Sequence, residues 1–402
     1  MKKGWESNKL GDVCEFQRGL TYAKSDEADV SDNVVLRATN IDLARNLLIF
    51  DELKYISDKV VVPESKKVKK GSLMICMASG SKSHLGKVAY IDEDYGYAFG
   101  GFMGMLTPRN GLWPKYLFHL MTSEDYKDFI GALSDGANIN NLTFDKLKLF
   151  SVPVPPLPEQ QRIVGVLDEA FDGLATAKAN AEKNLQNARA LFESHLQSVF
   201  TQRGKGWVDR QLASLCHEIT VGHVGSMKTE YKESGIPFLR SQNIRPFEVS
   251  MENAMFIGEA FHRALKKSQL RPGDLAIVRT GYPGTAAVIP PELPDSNCSD
   301  LVIVRPSKEV NAHFLAAFFN SSFGKQLVLG KIVGAAQKHF NITAAKEVML
   351  HVPPIAEQRT IVAMVDDLRE ETQRLTAIYE QKLAALEALK KSLLHQAFSG
   401  NL

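Results

Sequence analysis

The sequence contains a long internal repeat, and this limits the possible folds more than any other feature. Val-Pro-Pro-Leu-Pro-Glu-Gln at 154–160 returns as Val-Pro-Pro-Ile-Ala-Glu-Gln at 352–358, a spacing of 198 residues. Repeats in solenoid proteins are much shorter, about 20–45 residues. The spacing therefore predicts two similar domains in one chain, each followed by its own copy of the motif.

The similarity extends through most of each copy. The segment 36–41 returns at 239–244, and the segment 71–75 returns at 273–277. The offset between the copies drifts from 203 to 198 residues. Small drifts of this kind are typical of loop insertions between the elements of a shared fold.

Composition limits the class of protein. With 402 residues, 44% of them hydrophobic, the chain is long enough for two cores. A net charge of +2 excludes a protein that coats nucleic acid or membranes through bulk charge, so any polyanion contact needs local patches. The four cysteines form no Cys-x-x-Cys pair and have no histidines at metal-ligand spacing, so no metal site is expected. Without a long apolar segment, we expect a soluble cytoplasmic protein that makes no membrane contact.

Each copy combines strand-like and helix-like segments. Apolar runs bounded by glycine and proline, such as 71–77 and 274–278, predict strands. The amphipathic segments 113–120 and 311–318 predict helices that follow the sheet. After each Pro-Pro, glycine almost vanishes and Ala, Leu, Glu, Gln and Lys dominate, which favours one long helix.

A heptad pattern indicates that these two long helices pack together. The frame that starts at Ile361 is aliphatic at seven of ten positions. The same frame from Ile163 places alanines where the other helix has bulk, and it places Asn184 in the seam. We predict an α+β fold in which two similar globular domains are separated and joined by an antiparallel coiled coil, as a pseudo-two-fold repeat. The predicted parts are a first domain at 1–153, a central helix at 154–202, a second domain at 203–351 and a C-terminal helix at 352–402.

Recurrent catalytic motifs are missing from the sequence. It contains no phosphate-binding Gly-x-x-x-x-Gly-Lys-Ser/Thr, no His-Glu-x-x-His, no Gly-x-Ser-x-Gly and no Asn-Pro-Pro-Tyr-like methyltransferase signature. The glycine-rich segment 98–104 lacks the helix start of a cofactor loop, which favours a turn or tight strand crossing. We therefore expect no catalytic residue in this chain.

Matched polar loops are the candidates for contact with DNA. Arg, Asn and Gln hydrogen-bond guanine and adenine edges, while Ser, Thr, Lys and His reach phosphates or bases. The candidates in the first copy are Arg37, Thr39, Asn40, Ser79, Lys82, Ser83, His84 and Lys87. The candidates in the second copy are Arg240, Gln242, Asn243, Arg279, Thr280, Tyr282, Gln337, Lys338 and His339.

Not all these candidates carry equal weight. Asn40 and Asn243 occupy the same place in both copies, so capping of a turn is the alternative for them. Thr39 and Gln242 differ at matched positions, as expected of domains that read different sequences. The matched loops 136–141 and 334–339 leave a turn and a DNA contact open.

The whole chain resembles the specificity subunits of type I restriction-modification systems. The resemblance rests on the two Pro-Pro-x-x-Glu-Gln motifs, in which Pro158 becomes Ala356, and on the ending 394–402. It implies two target recognition domains that each read half of a bipartite double-stranded DNA target. The helix pair would set the half-site spacing and dock two methyltransferase subunits.

The resemblance also implies a subunit without catalysis or cofactor of its own. S-adenosylmethionine, ATP and Mg²⁺ would belong to the methyltransferase and restriction/translocase partners. The residues alone leave one alternative open, a coiled-coil scaffold protein with two repeated α+β domains that does not bind DNA.

Overall fold

The computed structural model describes residues 4–42, 45–80, 84–134, 141–202, 204–330 and 339–402. The chain divides into two compact units. Unit 1 comprises 1–181 and 381–402, and unit 2 comprises 182–380. The division runs through both long helices, so each unit contains a segment of each of them.

Unit 1 contains three groups of paired strands. Its elements, in chain order, are β1 (Glu6–Lys9), α1 (Leu10–Val13), β2 (Cys14–Arg18), β3 (Glu27–Ala28), β4 (Asn33–Leu36), β5 (Lys54–Ile56), β6 (Leu73–Cys76), β7 (Val88–Tyr90), β8 (Ala98–Phe99), β9 (Met103–Pro108), α2 (Pro114–Leu120), α3 (Glu124–Ser134), α4 (Phe144–Leu147), β10 (Ser151–Val154) and α5 (Leu157–Thr201). One antiparallel sheet has the order β2-β9-β6-β7. A second has the order β3-β5-β4-β8 and includes the parallel pair β4 and β8, while β1 pairs with β10.

The side chains of strand β6 are buried on both faces of the sheet β2-β9-β6-β7. Leu73 and Ile75 pack into a core shared with α2 and α3. Met74 and Cys76 pack into a second core, shared with the sheet that contains β4. Because successive side chains of a strand point to opposite faces, a strand covered on both sides is apolar at every position. Unit 1 is therefore layered as helices, sheet and second sheet.

Unit 2 repeats this arrangement with small additions. Its elements are β11 (Val208–Gln211), β12 (Cys216–Val221), β13 (Tyr231–Lys232), β14 (Ile236–Leu239), β15 (Ile244–Arg245), β16 (Glu248–Val249), β17 (Met255–Ile257), α6 (Glu259–Ala264), β18 (Gln269–Leu270), β19 (Leu275–Val278), β20 (Ala286–Val288), β21 (Ser296–Cys298), β22 (Leu301–Pro306), α7 (Ala312–Asn320), α8 (Ser322–Gly330), α9 (Ile342–Lys346), β23 (Met349–Val352) and α10 (Ile355–Ser399). The sheets have the orders β12-β22-β19-β20 and β13-β17-β14-β21-β18, with the pairs β11-β23 and β15-β16.

The layers of unit 2 follow the same rule. In β19, Leu275 and Ile277 face the helical core, while Ala276 and Val278 face the core of the second sheet. The α+β prediction is confirmed, and the predicted strands at 71–77 and 274–278 are the doubly covered strands β6 and β19.

The glutamine of the repeated motif anchors the start of each long helix. The Oε1 atom of Gln160 accepts a hydrogen bond from the Trp113 backbone N–H at 2.7 Å. Its Nε2 atom donates to the carbonyl oxygens of Gly111 at 2.7 Å and Pro155 at 2.8 Å. Since Gln160 is fully buried, these bonds fix the beginning of α5 to the loop before α2.

The second copy makes the same three hydrogen bonds. Gln358 Oε1 accepts from the Asn311 backbone N–H at 2.8 Å. Gln358 Nε2 donates to the carbonyl oxygens of Glu309 at 3.1 Å and Pro353 at 2.9 Å. In each copy, the glutamine of the repeated motif therefore acts as a clamp, which means that it fixes the start of a long helix to its own domain.

The two long helices pack against each other in antiparallel fashion, as predicted. In unit 1 the early residue Ile163 of α5 shares a core with the late residue Phe398 of α10. In unit 2 the late residue Phe200 of α5 shares a core with the early residue Val365 of α10.

The positions of the predicted heptad frame are covered except at two places in each helix. Asn184 and Leu191 of α5 are exposed, as are the matching Lys382 and Leu389 of α10. A straight α-helix drifts by about 20° per heptad, so one side of a strict seven-residue frame turns away from the contact face. The prediction that Asn184 lies in the seam is therefore wrong. Beyond Ala181, the covered positions of α5 include the frame residue Ala188 and, next to the frame, Leu185, Phe192 and Leu196.

Candidate nucleic-acid interface

The turn after β4 is built around a buried asparagine. Asn40 Oδ1 accepts from the Arg37 backbone N–H at 2.8 Å. Asn40 Nδ2 donates to the carbonyl oxygens of Ile49 at 3.1 Å and Glu52 at 3.3 Å. Only 1% of Asn40 is exposed, so its amide has no group left for a base.

The turn after β14 repeats this arrangement. Asn243 Oδ1 accepts from the Arg240 backbone N–H at 2.9 Å. Its Nδ2 donates to the carbonyl oxygens of Ser250 at 3.0 Å and Glu252 at 3.1 Å. Asn40 and Asn243 were both predicted to contact DNA, and this is corrected: they cap matched turns, the alternative that their identity in both copies had suggested.

Neighbouring residues in these turns do face solvent. Thr39 and Gln242 are exposed at the same position of the two turns. Gln242 Nε2 rests 3.3 Å from the Asn253 carbonyl oxygen, which also accepts from Arg240 Nη2 at 3.2 Å. Arg37 and Arg240 are half-buried, and the Nε atom of each has no hydrogen-bond partner among the described residues. In each turn, the buried asparagine therefore fixes the backbone that carries two further residues. One is exposed and differs between the units, and the other is an arginine in both units.

Three loops of unit 1 are hydrogen-bonded to one another: the turn after β4, the segment 100–102 and the loop after β6. We call this group of loops the edge of unit 1. The Leu36 carbonyl oxygen, at the end of β4, accepts from the Gly100 N–H at 2.9 Å. The Phe102 carbonyl oxygen accepts from the N–H groups of Met77 at 2.9 Å and Ala78 at 3.2 Å, just after β6. The turn after β4 and the loop after β6 are therefore connected through 100–102.

The remaining predicted residues of unit 1 lie on the loop after β6. Ser79 and His84 are half-buried, and burial, together with the Lys87 charge, lowers the pKa of His84. Lys87 Nζ donates to the Ile41 carbonyl oxygen, and partial burial lowers the pKa of Lys87. Lys87 thus connects its loop to the turn after β4. Lys82 and Ser83 lie outside the described residues.

The loops of unit 2 meet in the same way. The Leu239 carbonyl oxygen accepts from the Ser299 N–H at 3.0 Å, and the Asp300 carbonyl oxygen accepts from the Arg279 N–H at 3.2 Å. Arg279 Nε donates to the Phe340 carbonyl oxygen at 3.3 Å. The turn after β14, the loop after β19 and the segment before α9 are therefore connected. We call this group of loops the edge of unit 2.

The other predicted residues of unit 2 surround this edge. Thr280 is half-buried next to Arg279, and Tyr282 is 84% exposed at the tip of the loop. His339 is half-buried directly before Phe340. Gln337 and Lys338 lie outside the described residues, as do the matching positions 136–140.

Two residues of these edges escaped the sequence prediction. Phe102 is 73% exposed, and Asp300 is exposed at the equivalent place between β21 and β22. The available signal was the sequence Gly-Gly-Phe at 100–102. A Cβ atom on Gly101 would lie 3.1 Å from Thr21 Oγ1, so the backbone there approaches its neighbour closely, and the phenylalanine that follows is left in solvent.

Two further observations concern the described parts of the chain. Their helices include none that is both long and apolar enough to cross a membrane. Their His, Cys, Asp and Glu side chains form no group of three that could hold a metal ion.

Comparison with solved structures shows the fold. A chain from the work described as "Structural basis underlying complex assembly and conformational transition of the type I R-M system" superposes with a TM-score of 0.82, at 19% identity, over 100% of this chain and 99% of that one. The HsdS subunit from Thermoanaerobacter tengcongensis gives a TM-score of 0.65, at 19% identity, over 100% of this chain and 98% of that one.

Comparison with known sequences shows similarity to one kind of protein. The type I restriction modification DNA specificity domain matches residues 2–186. The EcoKI specificity subunit of Escherichia coli (strain K12) is 26% identical over 428 residues, which covers 100% of this chain and 90% of that protein. The StySPI specificity subunit of Salmonella potsdam is 26% identical over 426 residues, with 100% and 90% covered. The resemblance predicted from the repeated motif is confirmed: the first part of the chain matches the type I specificity domain, and the whole chain is similar to specificity subunits of type I restriction enzymes.

Proposed function

We propose that this chain is the DNA-recognition subunit of a type I restriction-modification complex and that each unit reads one half of a bipartite duplex target. The main support is a shared backbone frame that carries different exposed side chains. Thr39 and Gln242 occupy the same position of matched turns, each held by a buried asparagine. Two readers of different sequences require such a frame with interchangeable contacts.

The proposed contact set follows from how each predicted residue is used in the structure. Asn40, Asn243 and Lys87 are left out because their polar groups serve the protein interior. The proposed contacts of unit 1 are Arg37, Thr39, Ser79 and His84. The proposed contacts of unit 2 are Arg240, Gln242, Arg279, Thr280, Tyr282 and His339. Lys82, Ser83, Gln337 and Lys338 stay predictions from sequence.

Arginine and glutamine suit the two kinds of contact that such an edge needs. Arginine binds guanine or phosphate through two donors, and glutamine binds adenine through a donor and an acceptor. Phosphate contacts supply affinity that does not depend on sequence, while base contacts supply specificity. The half-buried arginines common to both turns fit the first role, and Gln242 fits the second.

The pair α5 and α10 is the proposed ruler between half-sites. Each helix has 45 residues and is clamped to its own domain through Gln160 or Gln358. A clamped helix transmits a change of length to the domain instead of absorbing it in a loop. We place the docking of two methyltransferase subunits on the same helical part. S-adenosylmethionine, ATP and Mg²⁺ belong, in this proposal, to the methyltransferase and restriction partners.

A matched deletion tests the ruler. Removing 178–184 from α5 and 377–383 from α10 takes seven residues from each helix and keeps the contact stripe nearly in phase. The helices shorten by about 10 Å, the length of about three base pairs. We expect selection from random duplex DNA to return the same half-sites with a shorter gap. An unchanged gap would contradict the ruler.

A binding measurement tests the function itself. The chain, assembled with its cognate methyltransferase subunits, is incubated with random duplexes, and the retained DNA is sequenced. DNA recognition predicts enrichment of two short motifs at a fixed distance. A scaffold that does not bind DNA predicts no enrichment. An alanine substitution of Val61, which is 86% exposed in the loop after β5 and is not among the proposed contacts, serves as a control and leaves the motifs unchanged.

A further inference from the structure

The segments 100–102 and 299–300 lie at the centre of the two recognition edges. Each connects the strand β8 or β21 to the next strand, and each is hydrogen-bonded on one side to the end of β4 or β14 and on the other to the loop after β6 or β19. A side chain at the centre of such an edge has the shortest path to a bound duplex. Phe102 and Asp300 occupy this place.

The backbone of Asp300 is held while its side chain is free. Its carbonyl oxygen accepts from the Arg279 N–H and from Ser241 Oγ, both at 3.2 Å. Its φ of 55° is in the left-handed region, which aspartate tolerates better than most residues. The carboxylate is exposed and makes no hydrogen bond or ion pair within the described part of the chain. It is therefore an acceptor without a partner in the described part of the chain, carried on a backbone that is held in place.

A free carboxylate at a DNA-facing edge has few acceptable partners. Phosphates repel it, so it is tolerated only where it meets a hydrogen-bond donor on a base edge. In the major groove the cytosine amino group is the donor that aspartate selects. Phe102 has the opposite chemistry, because an exposed ring without a polar atom gains most from the thymine methyl group.

We infer that position 102 of unit 1 and position 300 of unit 2 determine specificity, with Phe102 reading a thymine and Asp300 reading a cytosine. The inference rests on the proposed function, since it assigns bases to an edge that must first bind DNA. The same structural position is thus predicted to read a different base in each of the two half-sites.

Asp300→Asn is the sharpest test. Asparagine keeps the tolerance for a left-handed backbone but presents a donor and an acceptor, the pattern that pairs with adenine. We expect selection from random duplexes to show a preference for cytosine about tenfold lower at one position of one half-site, with adenine gained there. All other positions keep their preferences.

Asp295→Asn is the matched control. Asp295 is also exposed and precedes the same strand, β21, at its other end. It is expected to leave every base preference unchanged. In unit 1, Phe102→Ala is expected to reduce a thymine preference about fivefold, and Val61→Ala is its control.

The possible outcomes separate the two claims. If the unaltered complex enriches no bipartite motif, the proposed function fails. If it enriches one and Asp300→Asn changes no single position, the inference alone fails. A uniform loss of binding over all sequences, with the urea midpoint unchanged, would also overturn it, because it would mark a general contact instead of a base reader.

Discussion

Unit 1 and unit 2 keep one backbone frame but fill it with different chemistry, even in the interior. Ser72 Oγ lies 2.8 Å from Thr107 Oγ1 in unit 1. At the equivalent positions of unit 2, Asp274 Oδ2 lies 3.5 Å from Arg305 Nε, and both side chains are buried. A neutral hydrogen bond and a buried ion pair can therefore join the same two strands.

The parts that do not differ are informative in the same way. The capping asparagines and the clamping glutamines make the same hydrogen bonds in both units. The asparagines fix the turn that carries the exposed residue, and the glutamines fix the start of the long helix. What is identical in the two units holds the frame, and what differs is either interchangeable packing or recognition.

The largest expected effect comes from breaking the buried pair of unit 2. Asp274→Ala leaves the Arg305 guanidinium without its buried carboxylate, although Glu218 and the Gln269 carbonyl still bind it. We expect the free energy of unfolding to fall by about 3 kcal/mol. Urea denaturation measures this change.

Replacing the buried ion pair of unit 2 with the serine and threonine of unit 1 tests whether the two interiors are interchangeable. The double variant Asp274→Ser with Arg305→Thr introduces the serine and threonine found in unit 1. It is expected to lose less stability than Asp274→Ala, because the buried Arg305 guanidinium is removed together with its buried carboxylate. A double variant at least as unstable as the single one would show that the two interiors are not interchangeable.

The next effect separates frame from recognition at adjacent residues. Asn243→Ala removes three buried hydrogen bonds and is expected to lower the free energy of unfolding by about 2–3 kcal/mol. Gln242→Ala, at the exposed neighbour, is expected to stay within about 0.5 kcal/mol. Equal losses for both, measured by urea denaturation, would contradict the division of roles.

The third effect concerns specificity. Gln242→Ala is expected to weaken discrimination by about 1–3 kcal/mol at one base pair of the half-site read by unit 2. Thr39→Ala is expected to act only on the other half-site. Sequencing of selected duplexes measures both. Changes in both half-sites from one substitution would mean that the two units do not read independently.

The smallest effect depends on pH and is confined to unit 1. Asp168 Oδ1 lies 2.8 Å from His119 Nε2, and this hydrogen bond, with that from Lys115, lowers the pKa of Asp168 from 3.8 to about 2. A lowered pKa stabilises the fold above about pH 4, and this stabilisation is lost as the pH falls towards 2. Because 39% of the Asp168 side chain is exposed, we expect only about 1 kcal/mol.

The repeat supplies the control for this prediction. Asp366 occupies the position of Asp168 in unit 2 and pairs with Arg369 at 3.3 Å on the same helix. Asp168→Asn is expected to reduce the loss of stability between pH 5 and pH 2, in urea midpoints, more than Asp366→Asn does. An equal reduction by the two variants would show that the His119 contact adds nothing.

The sequence was sufficient for the features that depend on local pattern. The doubly covered strands β6 and β19 are continuous apolar runs, and the two long helices follow from composition and from the Pro-Pro boundary. The pairing of the helices also follows, because both carry an apolar stripe. Local patterns predict these elements because burial dictates residue type there.

Features that depend on three-dimensional context could not be predicted in the same way. The clamp of Gln160 joins positions 47 and 49 residues apart, and no pattern marks such a bond. Asn184 and Leu191 turn away from the helix seam because real helices have 3.6 residues per turn, not 3.5. Phe102 looked like part of a glycine-rich turn, and only the hydrogen bonds around it place it between the turn after β4 and the loop after β6.

The most direct test is a genome-wide map of methylated adenines in cells that carry this chain together with the methyltransferase subunits proposed as its partners. We expect one bipartite motif, with two different half-sites and a fixed gap, in which Gln242→Ala changes only one half. A single uninterrupted motif, or two halves that change together, would contradict recognition by two independent units on one frame.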